Sequence, residues 1–140
     1  MQHLKNHVRY SVLYHFILLP LLLAVVIGSV VNLYNSSHET LYPNSLICVL
    51  SILFLIFAFL ARGFALKAQD RAIRAEENFR HFILTKRTLD SRLTMQQMIA
   101  LRFASDDEFP ALAQKAADTK MSGNDIKKSI KNWRADYYRV

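Results

Sequence analysis

The stretches VLYHFILLPLLLAVVIGSVVNL (residues 12–33) and LICVLSILFLIFAFLARGFAL (residues 46–66) decide the fold of this chain. Of its eighteen lysines and arginines, none falls between Ser11 and Ala61. Crossing a hydrocarbon core of about 30 Å takes roughly 20 helical residues. Both stretches reach that length, so the sequence predicts an all-α protein built on a two-helix transmembrane hairpin, with residues 34–45 as its connecting loop.

Orientation follows from the cations. Lys5 and Arg9 precede the first stretch, and Arg62 and Lys67 mark the end of the second, whereas the loop carries only Glu39 and His38. Lysine and arginine close to span ends stay on the cytoplasmic side. Both termini are therefore expected in the cytoplasm and the loop outside. A cleaved signal peptide would carry an apolar region of about 7–15 residues; the first run is longer and leads into a second span, so it reads as an anchor. The domains expected are a cytoplasmic N-terminal arm (1–11), the hairpin (12–66) and a small cytoplasmic helical bundle (67–140). With 140 residues, 52% of them hydrophobic, there is room for little else. The single cysteine, Cys48, lies within the second run, which excludes an intramolecular disulfide and reads as a small buried residue.

Pairing antiparallel helices around a loop centred near Thr40 sets His15 opposite Arg62 and Gly63, and Arg9 opposite Asp70. A polar cluster of Arg9, Tyr14, His15, Arg62 and Asp70 is thus expected at the membrane neck. Ionisable groups inside spans are costly and often functional, so His15 is a candidate proton relay or ligand. The simpler reading keeps it neutral, bonded to a backbone carbonyl or to Tyr14, while Arg62 reaches the interface. No acidic residue falls in either run, which argues against a carboxylate-based cation path. Pro20 should bend the first helix by freeing the carbonyl of Phe16. Gly28, Ser29 and Asn32 form a small polar corner suited to close helix packing.

Beyond Leu66 the chain turns charged. Ala65, Ala68, Ala72, Ala75, Phe79, Phe82, Lys86 and Leu89 recur every three or four residues, which predicts a helix continuing unbroken from the second span. Four alanines make weak knobs and Lys86 interrupts the seam, so the stripe is expected to pack on the protein's own later helices or, as a candidate oligomer contact from Ala65 to Phe82, on a second copy. Arg71, Arg74, Glu77 and Arg80 read as a solvated face. Thr94-Met95-Gln96-Gln97 is a capping box with Leu93 and Met98 in staple positions; its helix should reach about Phe103. Ser105-Asp106-Asp107-Glu108, ahead of Pro110, reads as a second box. Ser122 opens a last helix to about Trp133. Its stripe of Ile126, Ile130, Trp133 and Tyr137 between lysines suits either internal packing, which is favoured, or a membrane surface.

No phosphate-cradling glycine loop, metalloprotease helix or nucleophile elbow occurs. His3 and His7 have metal-ligand spacing but no third ligand in view, and the acidic trio from Asp106 is explained by capping. An enzyme, a cofactor and a metal are not expected. From Arg62 onward sixteen cations face ten acids; positive-inside topology accounts for that excess, and no nucleic-acid-binding pattern accompanies it.

The pieces Lys5-Asn6-His7-Val8-Arg9-Tyr10 with Tyr14-His15-Phe16, Phe64-Ala65-Leu66-Lys67-Ala68-Gln69-Asp70-Arg71, Ile99-Ala100-Leu101-Arg102-Phe103-Ala104-Ser105-Asp106 and Ile130-Lys131-Asn132-Trp133-Arg134 resemble a family of small bacterial two-span membrane proteins, a domain of unknown function. The resemblance covers almost the whole chain. It implies a bacterial inner membrane and supplies no activity. The function expected is a non-catalytic accessory or scaffold subunit, forming a homo-oligomer or part of a larger membrane complex. The alternative is a homo-oligomeric pore or transporter lined or gated by Pro20, His15 and Arg62.

Overall fold

A computed structural model of the chain describes residues 11–136. The expectations placed on His3, Lys5, His7, Arg9 and Tyr137 lie outside the described residues, and the Arg9–Asp70 pair with them. The fold is all-α: a π-helical turn Leu13–Leu18, then α1 Leu19–Tyr34, α2 Leu41–Thr85, α3 Met95–Leu101, α4 Phe109–Asp118 and α5 Gly123–Ser129. Two compact units form, with described parts at residues 11–65 and 66–136, and the division falls inside α2.

In the first unit, the helix Leu13–Tyr34 and α2 are both long and apolar enough to cross a membrane, by length and composition. They meet through small side chains. Ser29 and Ser51 are buried with their hydroxyls 2.9 Å apart, and each also lies 2.8 Å from a carbonyl of its own helix, Val26 or Cys48, so the two hydroxyl protons serve two of these three contacts at a time. Nearer the start, the Tyr14 hydroxyl donates to the Ala58 carbonyl at 3.2 Å. Partner numbers fall along α2 as they rise along α1, so the two run in opposite directions. Cys48 and Ala58 are buried alongside. Large apolar side chains of both helices point outward.

Pro20 acts differently from a simple bend. It stands at the start of α1, and the π turn comes just before it, where the Leu19 N–H reaches back five residues to the Tyr14 carbonyl. A proline ring collides with the carbonyl four residues earlier and cannot donate to it; a wider turn offers that carbonyl more room. The connecting loop is also shorter than expected, because α2 begins at Leu41 with Pro43 in its first turn, where a missing N–H costs nothing. Ser37 and Thr40 close the loop by exchanging backbone and side-chain hydrogen bonds of 3.0–3.1 Å.

In the second unit, α2 stops at Thr85. Lys86 adopts a left-handed φ of 59°, and its N–H returns to the Phe82 carbonyl at 2.8 Å. The helix therefore does not reach Leu89, whose N–H is taken by the Asn78 side chain at 2.9 Å and whose own side chain is buried in the core. That core gathers Leu93, Met98, Leu101, Phe103, Phe109 and Ile126 from the loop, α3, α4 and α5. The Thr94 capping box forms as the residues require: the Gln97 N–H meets the Thr94 hydroxyl at 3.3 Å, and the Gln97 side chain accepts the Thr94 N–H at 2.8 Å. The buried Gln97 amide then donates to the carbonyls of Ala116 and Met121. Gly123 approaches α3 so closely that an added Cβ would lie 3.1 Å from the Gln96 carbonyl oxygen.

Two sequence expectations give way here. The last helix ends at Ser129 instead of Trp133, and residues 130–134 run alongside 103–105, with Ser105 N–H to Asn132 O at 3.1 Å and Arg134 N–H to Phe103 O at 2.8 Å. The segment Ser105–Glu108 caps no helix through a serine side chain. Instead the Glu108 carboxylate accepts the N–H groups of Lys131 and Asn132 at 3.1 Å each. Those backbone partners, remote in sequence, outbid further helical turns. The stripe of Ile126, Ile130 and Trp133 packs inward, the indole lying 4.9 Å from the Phe103 ring.

Phe103 is both core and shelf for the single tryptophan. Phe103→Ala is expected to lose about 3–5 kcal/mol, as buried aromatic truncations do, in urea unfolding of the detergent-solubilised protein followed by Trp133 fluorescence. A loss under about 1 kcal/mol would contradict this packing.

Candidate functional site

Of the expected neck cluster, the first unit brings together Tyr14, His15 and Arg62. The Arg62 guanidinium sits 5.4 Å from the Tyr14 ring centre, and the Tyr14 and His15 rings meet edge to face at 5.0 Å. His15 Nδ1 lies 3.0 Å from the Ser11 carbonyl; a proton there donates to it and leaves Nε2 as the acceptor. The π turn presents Tyr14 toward α2, so an aromatic face, tolerant of a neighbouring cation, stands before Arg62. Asp70 is half-buried and belongs to the second unit.

The densest polar site is one that the sequence reading assigned to solvent. Arg80 is held at its centre, its side chain only 10% exposed. It donates to Glu77 at 3.0 Å, to Asp106 at 2.7 Å and to the Ala104 carbonyl at 2.7 Å, while its guanidinium stacks 4.4 Å above the Phe109 ring. Ile73, Glu77 and Arg80 recur at four and three residues along α2 and form the face covered by the later helices. The solvated-face reading of Glu77 and Arg80 is thereby corrected: the later helices cover this face, and not the stripe of Ala68, Ala72, Ala75, Phe79 and Phe82, all of which stay exposed, with Ala65 half-buried. The 4,3 spacing of Ile73, Glu77 and Arg80 was the signal available in the sequence. Its charged members concealed it.

Beside this clamp run two adjoining hollows of about 370 and 400 Å³ that share Glu76, Glu77 and Arg134. Phe79, Ile83 and Leu84 edge one; Arg102 and Asp136, paired at 3.0 Å, edge the other. Burial raises the Glu77 pKa above the ordinary carboxylate range, with the Arg80 hydrogen bond and charge pulling the other way. A second clamp is exposed: Arg92 bonds Asp90 and Asp118, and its hydrogen bonds hold Asp90 down at about 2. Among the described residues no group of three or more His, Cys, Asp or Glu side chains is gathered to hold a metal. The arrangement ties the unit together through charge-assisted hydrogen bonds; of its members, Ala104 and Asp106 fall in the segment 99–106 that carries part of the sequence resemblance.

An all-α chain with two helices long and apolar enough to cross a membrane, by length and composition, and a second compact helical unit is thus the class defined. The chain belongs to DUF6526, a family of unknown function, which it matches over residues 1–140. No curated protein and no solved structure matches it.

Removing Arg80 strands Glu77. Arg80→Leu is expected to destabilise the second unit by about 3–5 kcal/mol, and Arg80→Leu with Glu77→Leu to recover most of that loss, in the same Trp133 unfolding assay. Because the folded state binds the Glu77 proton more tightly than the unfolded one, this group's contribution favours folding at low pH and is lost as pH rises through its raised pKa. Glu77→Gln should therefore flatten the stability–pH curve above the ordinary carboxylate range; an unchanged slope would contradict the burial-driven shift.

Proposed function

We propose that this chain is a non-catalytic integral protein of a bacterial inner membrane, with both termini cytoplasmic, acting as an accessory or scaffold subunit through helix–helix contacts. The observation that carries the reading is the outward face of the first unit. Leu21, Val25, Ile27, Phe54, Phe57 and Phe59 are each 54–64% exposed, and many neighbours match them. Soluble proteins rarely expose a continuous apolar patch beyond a few hundred Å², whereas lipid tails solvate such a surface at no cost. The spans form a hairpin closed by Ser29 with Ser51 outside and by Tyr14 with Arg62 at the neck. Both serines are fully engaged, so the hairpin interior offers no file of open polar groups for a permeating ion. That favours the scaffold over the pore or transporter.

α2 then carries the chain through the interface as one helix and presents the helical bundle, fixed by the Arg80 clamp, in the cytoplasm. The bilayer is one partner; the others are further helices of a membrane complex or of a second copy. Nucleic acid is not among them.

With Cys48→Ser as background, a cysteine at Ser37 should react with an impermeant maleimide from outside the cell and one at Ser122 only after permeabilisation. The reverse pattern would end the orientation. Liposomes holding this chain alone are expected to show no ion flux above empty liposomes, and a robust flux would restore the pore.

A further inference from the structure

We propose that the face of α2 left bare by its own bundle is the pairing surface for a second copy of this chain, the two α2 helices running parallel about a two-fold axis along the membrane normal. The inference rests on the membrane reading above and adds to it the partner, the direction and the register.

The bundle seats itself on Ile73, Glu77 and Arg80. In the heptad register that places Ala72 and Phe79 at a and Ala68, Ala75 and Phe82 at d, those three fall at b, f and b, on the far side of the helix from the seam. The a and d positions are open: Phe79 is 66% and Phe82 46% exposed, and Ile83 at e, 53% exposed, widens the apolar strip. Two large phenylalanines and an isoleucine facing water are a surface awaiting cover, and the chain's own helices are committed elsewhere. Lys86, the one polar residue the stripe would otherwise include, has already left the helix in its left-handed turn.

Charge selects the occupant. A parallel pair brings each g residue against the e residue five positions on in the partner. Here g is Arg71 and e is Glu76, both exposed. Two-fold symmetry makes that attraction twice over, Arg71 of each copy meeting Glu76 of the other. Membrane insertion enforces the same direction, since two copies crossing with the same topology cannot set their α2 helices antiparallel. From Ala68 to Phe82 the seam is only about 22 Å long at 1.5 Å per residue. A free helix pair of that length is marginal in water, but spans held in one plane arrive already aligned, and alanines at three of five seam positions allow the backbones close together.

The test uses the full chain in native membranes with Cys48→Ser. Single cysteines at Phe79 or Phe82 should crosslink copy to copy, and one at Ile73 should not. Arg71→Glu and Glu76→Arg, each combined with Phe82→Cys, should lower the crosslinked fraction roughly two- to tenfold, and the double swap should restore it. Unchanged Trp133 fluorescence keeps the bundle intact in every variant. Crosslinking at Ile73 equal to that at Phe79, or a double swap no better than either single change, overturns the seam. Should alkaline carbonate wash the chain from the membrane, the membrane reading fails first, whatever the crosslinking pattern.

Discussion

One guanidinium decides how the second unit of this protein is arranged. Arg80 lays its guanidinium over the Phe109 ring and directs its donors to Glu77, Asp106 and the Ala104 carbonyl. Those partners lie at the end of α3, in the turn before α4 and on α2 itself. Once they are engaged, the later helices can cover only one side of α2. The other side, with its alanines and phenylalanines, is left open by the same event. A buried pair of this kind is weak evidence for net stability. Its contribution here is to specify which face is inside.

The two units solve unlike problems with one continuous helix. In the first, contact relies on small side chains, Ser29 and Ser51 among them, as the proposed membrane reading expects, because lipid exerts no hydrophobic pull between helices. In the second, water drives burial, and the core collects aromatic and aliphatic residues from four segments. Surface charges add a finer layer. Asp90, Arg92 and Asp118 tie the loop after α2 to the end of α4, and the part owed to Asp90 persists above the ordinary carboxylate pKa and is lost as pH falls through about 2.

Features written in local chemistry were legible in the sequence. The apolar runs, the Thr94 capping box, the Ser122 cap and the inward stripe of Ile126 and Ile130 all follow from neighbours within a few residues, and all form. Features set by distant partners were not. Glu108 looks like a cap residue, yet its carboxylate holds the backbone of Lys131 and Asn132 more than twenty positions away. Residues 130–134 have the pattern of a helix and leave it because Phe103 and Ser105 supply hydrogen bonds that only the folded chain can offer. Glu77 and Arg80 read as solvated because single charged residues usually are; paired, they become part of a buried face. Counting across the loop set His15 opposite Arg62, whereas the Arg62 guanidinium lies over Tyr14, because the π turn that aims Tyr14 at α2 leaves no mark in the sequence beyond Pro20.

The division of α2 into a covered and a bare face can be read directly by an alkylation scan. Cysteine is placed in turn at each position from 66 to 85, with Cys48→Ser, and labelling rates are measured in dilute detergent with one chain per micelle. Slow labelling is expected at 73, 77 and 80, and fast labelling at 72, 75, 79 and 82. Equal rates around the helix, or protection centred on 75, 79 and 82 in the isolated chain, would contradict the placement of the bundle and with it the free seam.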